Sequence, residues 1–480
     1  MTAKTGTAKP EAKVEASHAV AKRNAKTKSA LGPTVQDRMA MGKALRERVG
    51  RGEHAKWKVT AHRPDVIALL KKSDIGRVES LLPIRYGRMR QSPFAFYRGA
   101  AMLMAADLAG TPSTKLRVQA CGDCHLLNFG GFGAPDRRLV FDINDFDETL
   151  PAPWEWDVKR LAASVMLAGR FIGAKESQCE DAARATVASY RTRIREFAKM
   201  RALEAWYSRL DAEVFIEEAK DAEDREYWAK LEEAAIKQIA EYIFPKITVN
   251  LHGQRRIKDR PPLVVHPKEI ATIDKRVRTM FAQYRLTLGE ERRVILDRYT
   301  IVDIARKVVG VGSVGTRCDV ALMMAGEDDP LFLQFKEARE SVLAEYAGPS
   351  RYKNQGERVV TGQRMLQSAS DVFLGWTQDA EGRFYYFRQL RDMKMKFDLE
   401  SMSKSEWMEY VEICGWTLAR AHARTGDAAK IGGYLGKNDA FDEAVAKFAA
   451  SYADQTEKDY ETLVKAIKAG TIRAEKDAKE

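Results

Sequence analysis

Gly122-Asp123-Cys124-His125-Leu126-Leu127-Asn128 sets an aspartate five positions before an asparagine, and Phe141-Asp142-Ile143-Asn144-Asp145-Phe146-Asp147 follows with three carboxylates around the end of an apolar strand. Phosphoryl transfer from a nucleotide asks for this set of groups. It needs a carboxylate to orient and deprotonate an acceptor hydroxyl, and oxygen ligands for Mg2+, a hard cation. The competing reading is a loop in which Asp and Asn side chains close turns. Cys121 to His125 also spells C-x-x-C-H, the attachment pattern of c-type haem. That reading leaves Asn128 and the acidic strand unexplained, so His125 is read as a support of the loop.

A second motif is Gly310-Val311-Gly312-Ser313-Val314-Gly315. A lone GxGxxG decides little, and its context sorts it. A dinucleotide fingerprint runs from a strand into a helix, whereas here Thr316 to Leu322 continues as a strand. Strand–turn–strand is the arrangement of a kinase glycine-rich loop, whose backbone can lie close over phosphates. Leu331 to Lys336 reads as the following strand, with Lys336 placed to reach those phosphates. Glu357, on a helix over about 356–369, is the expected acidic partner of Lys336, with Glu337, Glu340 and Glu345 in competition.

The first stretch, continued through Pro151, Pro153 and Asp157, resembles the catalytic and metal-binding segments of aminoglycoside-phosphotransferase-like members of the protein-kinase-like superfamily. Within that superfamily, residues from about Leu82 to Leu435 resemble the bacterial family called domain of unknown function 2252. The pieces that carry this are PIRYGRM at Pro83–Met89, SPFAFYRGAA at Ser92–Ala101, FDINDFDETLPAPWEWDVKRLAAS at Phe141–Ser164 and GWTLARAHARTGD at Gly415–Asp427. The resemblance implies Asp123 as catalytic base and Asn128 as a metal ligand. Spacing to Asp157 then favours Asp145 over Asp142 and Asp147 as the principal Mg2+ carboxylate. The glycine-loop reading assigns Gly310, Gly312, Ser313, Gly315, Lys336 and Glu357 to ATP. One departure is Cys121, which stands where such motifs often carry His. The fold implied is α+β, a kinase-like two-lobe structure with a large helical lobe and a small antiparallel β lobe. Because the glycine loop and Lys336 follow Asp123 in the chain, the order of parts is inverted and a circular permutation is expected.

The elements that must position these residues fall into sections. Residues 1–45, rich in Lys and Ala with little apolar surface, are expected to be a disordered basic tail. Residues 46–299 read as mainly helical around a short stranded island, with long helices over about 155–175 and 178–245. Residues 300–395 change to strand periodicity. Residues 396–480 return to helix, with Trp407, Tyr410, Val411, Cys414, Leu418 and His422 on one apolar face. The 480 residues carry 45% hydrophobic and 31% charged side chains, ordinary for a globular chain. No run approaches the length of a membrane span, residues 1–30 lack the apolar core of a secretory signal, and five sparse cysteines fit reduced thiols, so a cytoplasmic protein is expected.

The expected function is an ATP- and Mg2+-dependent phosphotransferase acting on a hydroxyl of a small molecule or a protein. Two alternatives are a non-catalytic nucleotide-binding pseudokinase and a nucleic-acid-associated protein. The second alternative draws on the net charge of +12, the basic tail and Arg85-Tyr86-Gly87-Arg88-Met89-Arg90.

Overall fold

The first helix, α1 (Val35–Ala44), begins where the Thr34 hydroxyl accepts from the Asp37 N–H at 3.1 Å and Asp37 accepts from the Thr34 N–H at 2.9 Å. This reciprocal cap satisfies two amides at a helix start. The computed structural model describes residues 32–217, 222–266, 270–390, 393–395 and 397–475. The tail expected over 1–45 is therefore corrected at its end, and residues 1–31 lie outside the described residues. The helix α1 docks by close backbone approach and not by an apolar face. Gly42 lies against the Lys430 carbonyl and Gly433 against the Met39 carbonyl, and a Cβ on either would collide with backbone.

Helices α2 (Val66–Asp74), α3 (Leu82–Met89), α4 (Pro93–Gly99) and α5 (Ala101–Ala109) lead to the stranded island. There β1 (Arg117–Ala120) pairs antiparallel with β4 (Leu150–Pro153), and β2 (Phe129–Gly133) pairs antiparallel with β3 (Leu139–Ile143). These short strands hold the aspartate loops between them. Two long helices follow, α6 (Trp154–Phe171) and α7 (Glu176–Phe197), the first buried over most of its length. The helix expected over 178–245 thus ends at Phe197 and gives way to shorter pieces, among them α8 (Ala240–Ile247).

A six-stranded antiparallel sheet comes next. It contains β5 (Val264–Val265), β6 (Thr300–Lys307), β7 (Cys318–Met324), β8 (Pro330–Ala338), β9 (Gly375–Gln378) and β10 (Phe384–Gln389), in the order β9-β10-β8-β7-β6-β5. Helix α9 (Ile270–Leu286) packs on one face, where Val277, Met280 and Tyr284 meet Leu331, Leu333 and Phe335. Side chains alternate across a strand, so Phe332, Gln334 and Lys336 project to the other face. The boundary expected at 299/300 therefore moves: β5 and α9 belong with the sheet. Helix α10 (Gln355–Leu366) crosses between β8 and β9, capped by Asn354 Oδ1.

The chain then returns to the helical body through α11 (Lys404–Thr425), α12 (Ala428–Leu435) and α13 (Ala440–Lys468). Helix α11 starts at the Ser403–Glu406 capping box and buries the face read from the sequence, Trp407 to His422. It runs beneath the aspartate loops. Tyr410 donates to the Leu126 carbonyl at 2.9 Å, and Thr425 Oγ1 accepts from the Gln119 N–H at 3.2 Å. Among the described residues, no helix is long and apolar enough to cross a membrane.

Candidate active site

The loop from Cys121 to Asn128 is pinned from below by α6. Asp157, at the start of that helix, accepts from the Cys121 N–H at 2.7 Å and the Gly122 N–H at 3.0 Å. His422 Nε2 lies 3.2 Å from the same carboxylate, and Ser164 Oγ accepts from the Leu126 N–H at 2.7 Å. Gly122 makes the turn with φ +85°, and a Cβ there would collide with the Glu148 carbonyl. This close approach joins the Asp123 loop to the acidic loop. Gly122→Ala is expected to lose more than about 1 kcal/mol of stability from the left-handed backbone alone, with the collision adding to it; chemical denaturation measures the loss.

Asp123 sits at the mouth of the turn. Its Oδ1 accepts from Arg160, with Nε at 2.7 Å and Nη2 also in contact. Arg160 is one turn beyond Asp157 on α6, so both reach the same loop. Burial opposes the Arg160 charge, and Asp123 outweighs that and holds it. The other oxygen, Oδ2, faces the glycine turn, and a Cβ on Gly312 would stand 3.9 Å from it. Asn128 donates from Nδ2 to the Asp123 carbonyl at 2.6 Å, leaving Oδ1 as its available ligand atom.

The acidic residues part company. Asp142 is fully buried on β3 and faces α11, where Arg420 pairs with it and the Ser368 N–H and hydroxyl donate to it at 2.9 Å. Its expected place in the metal set is corrected, because its oxygens serve a structural pair outside the cleft. Asp145 and Asp147, beyond the strand end, line the cleft with Asp123 and Asn128. Asp145 accepts only the Asp147 N–H, at 3.1 Å, and makes no ion pair among the described residues. Burial, then the Asp147 charge, raises its pKa. Burial would raise Asp147 as well, but Lys336 by charge and hydrogen bond, with the Tyr386 hydroxyl at 2.8 Å, holds it below the ordinary range.

The glycine turn between β6 and β7 roofs the same cleft. Gly310, Gly312 and Ser313 line it, while Gly315, at φ +90°, turns the chain back and accepts from the Val78 N–H at 2.7 Å. Lys336 donates to Asp147 and to Ser313 Oγ, the latter at 2.7 Å. The acid that Lys336 reaches is thus Asp147 and not Glu357. From the same helix, α10, it is Arg358 that crosses to the acidic loop, donating to the Asp147 carbonyl at 2.8 Å and the Thr149 carbonyl at 2.7 Å. Glu337 pairs with Arg317 and Glu345 with Lys72.

The remaining expectations resolve by burial. His125 lines the cleft, and burial, with Arg98 and Arg160 nearby, keeps its imidazole neutral. Cys121 and Cys124 are buried beneath the loop, and burial pushes the Cys124 thiol up to about 11, which leaves no exposed thiol pair for haem attachment. In the basic run at Arg85–Arg90, residues 85–89 are buried and Arg90 is exposed. Arg85 is 1% exposed and Arg88 4% exposed, bonded to Asp74 and to the Gly310 carbonyl respectively. Sequence reasoning missed Arg160, Arg358 and Tyr386. Of these, Arg160 carried a signal in its helical spacing from Asp157.

The family described as "Uncharacterized protein conserved in bacteria (DUF2252)" matches residues 77–466, so the chain belongs to that family. No curated protein and no solved structure matches it.

Proposed function

We propose that this family member is an ATP- and Mg2+-dependent phosphotransferase acting on a hydroxyl group, with a kinase-like fold whose parts occur in permuted order. One observation carries the reading: Lys336, from the sheet, contacts Asp147, from the acidic loop, across the cleft that Asp123, Asn128, Asp145 and the glycine turn share. Nothing in local sequence forces these two segments together, and phosphoryl transfer is the chemistry that needs all of them at once. The order glycine turn, lysine strand, helix, two further strands also follows the small lobe of protein kinases.

The donor set suits Mg2+. Asn128, Asp145 and Asp147 all line the cleft and offer oxygen ligands, and Asp145 makes no ion pair among the described residues. Mg2+, when bound, would neutralise charge on the oxygens of the transferring phosphoryl group. Lys336, Ser313 and the glycine backbone would hold the nucleotide phosphates. The γ-phosphorus loses its bond to the bridging oxygen and gains one to the acceptor hydroxyl oxygen; the hydroxyl proton passes to Asp123, and nucleoside diphosphate leaves. An apolar slot lined by Ile257, Val264, Ala305, Val320, Phe332 and Leu390 lies on the Lys336 face of the sheet and suits a nucleobase.

The test is nucleotide binding. Wild-type protein is expected to rise in melting temperature with ATP·Mg2+ in excess, because a ligand specific to the folded state stabilises it by mass action. Lys336→Ala is expected to remove the rise. A wild-type protein that calorimetry shows not to bind ATP·Mg2+ would end this reading.

A further inference from the structure

One wall of the cleft is basic in a way the nucleotide reading does not use. Arg77, Arg85, Arg98 and Arg339 line it beside Ser73. Three of them converge on the end of α2. Arg77 Nε donates to the Ser73 carbonyl at 2.9 Å, Arg339 Nη1 to the same carbonyl at 3.2 Å, and Arg85 Nη2 to Ser73 Oγ at 3.0 Å. Of these three only Arg85 has a carboxylate, Asp74 at 2.9 Å. Arg77 and Arg339 make no ion pair among the described residues; their other bonds go to the Val314 and Ile75 carbonyls.

Gathering like charges against neutral carbonyls is unfavourable. Burial, then Arg85 and Arg339, pushes the Arg77 guanidinium down to about 9. Arg63, Arg160 and Arg420 each meet a carboxylate; Arg46 and Arg358 donate to carbonyls as Arg77 and Arg339 do, but of these four only Arg77 and Arg339 line the cleft. Asp74 and Glu148 act on Arg77 only at longer range, and guanidiniums that line a cleft without an ion pair offer a place for an anionic group from a ligand, since their forks fit phosphate oxygens. Arg98 ties this wall to the proposed base, since a Cβ on Gly312 would stand 3.0 Å from the Arg98 carbonyl and 3.9 Å from Asp123 Oδ2.

We infer that the acceptor is a small alcohol already carrying a phosphate group, held by Arg77 and Arg339 with its hydroxyl at Asp123. This rests on the phosphotransferase reading, and it makes the product a molecule with two phosphate groups. The acceptor is then of opposite charge to an aminoglycoside.

The test titrates the full chain with glycerol 3-phosphate and ribose 5-phosphate, and with glycerol and ribose as neutral counterparts, by calorimetry with and without AMP-PNP·Mg2+. The phosphate esters are expected to bind, the neutral polyols not, and binding is expected to persist with the nucleotide analogue present. Arg339→Gln and Arg77→Gln are each expected to weaken ester binding by roughly tenfold or more, at an unchanged melting temperature for at least one of them. Lys336→Ala is expected to spare it. Equal binding of neutral polyols, displacement of the esters by AMP-PNP·Mg2+, or full ester affinity in folded arginine variants would overturn the inference. Ester binding that depends on the arginines in a protein that binds no nucleotide would keep the anion site and remove the phosphotransferase reading.

Discussion

Asp123→Asn is expected to lower acceptor phosphorylation by about 10²- to 10⁴-fold, the range for loss of a positioned general base, while ATP·Mg2+ affinity stays within about threefold. Asparagine keeps the volume of the side chain and can still offer its carbonyl oxygen to Arg160, so the loop need not move. What it loses is the anionic oxygen at the Oδ2 position facing the glycine turn. The choice of asparagine matters because Arg160 is 2% exposed. Asp123→Ala would strand that guanidinium and destabilise the α6 junction, mixing a folding defect with a catalytic one. Rates are best taken under single-turnover conditions with the phosphorylated alcohols above, and from the slower hydrolysis of ATP by water, which needs no acceptor. An Asp123→Asn protein with wild-type turnover and unchanged melting would show that Asp123 only braces the loop.

The Asp123–Asn128 spacing, the strand–turn–strand around Gly310–Gly315 and the apolar face of α11 were legible because each is a local pattern with a local cause. What failed was partner choice. Glu357 and Arg358 are neighbours on α10, and which of them crosses to the acidic loop depends on the rotation of a helix against a sheet formed by distant residues. The same holds for Asp142 and Asp145. They lie three apart, but Asp142 is on the paired strand, where pleating turns it to α11, while Asp145 lies past the strand end and escapes that alternation. Helix α1 was illegible for another reason. It packs through glycines at the backbone, which leaves almost no apolar periodicity to read. The segment 264–286 was assigned to the wrong section because an amphipathic helix declares that it covers a surface and not which surface.

Arg420→Met is expected to destabilise the protein by about 3–5 kcal/mol, the cost of leaving one member of a buried ion pair alone. Both partners are essentially sealed, with side chains 1% and 0% exposed. Burial already lowers the Arg420 pKa despite Asp142, so this pair sits where desolvation is severe. After the replacement, Asp142 would keep the Ser368 donors and its own Ile143 N–H, three hydrogen bonds but no counter-charge. Urea denaturation would read the loss directly. Adding Asp142→Asn is expected to recover part of it, since the amide removes the stranded charge, and the coupling in that double-mutant cycle measures the pair. The same variants separate structure from metal binding. Affinity for ATP·Mg2+, taken well below the denaturation midpoint, is expected to be unchanged in the double variant, because Asp142 faces α11 and not the cleft. A double variant that folds yet loses Mg2+ dependence would return Asp142 to the metal set.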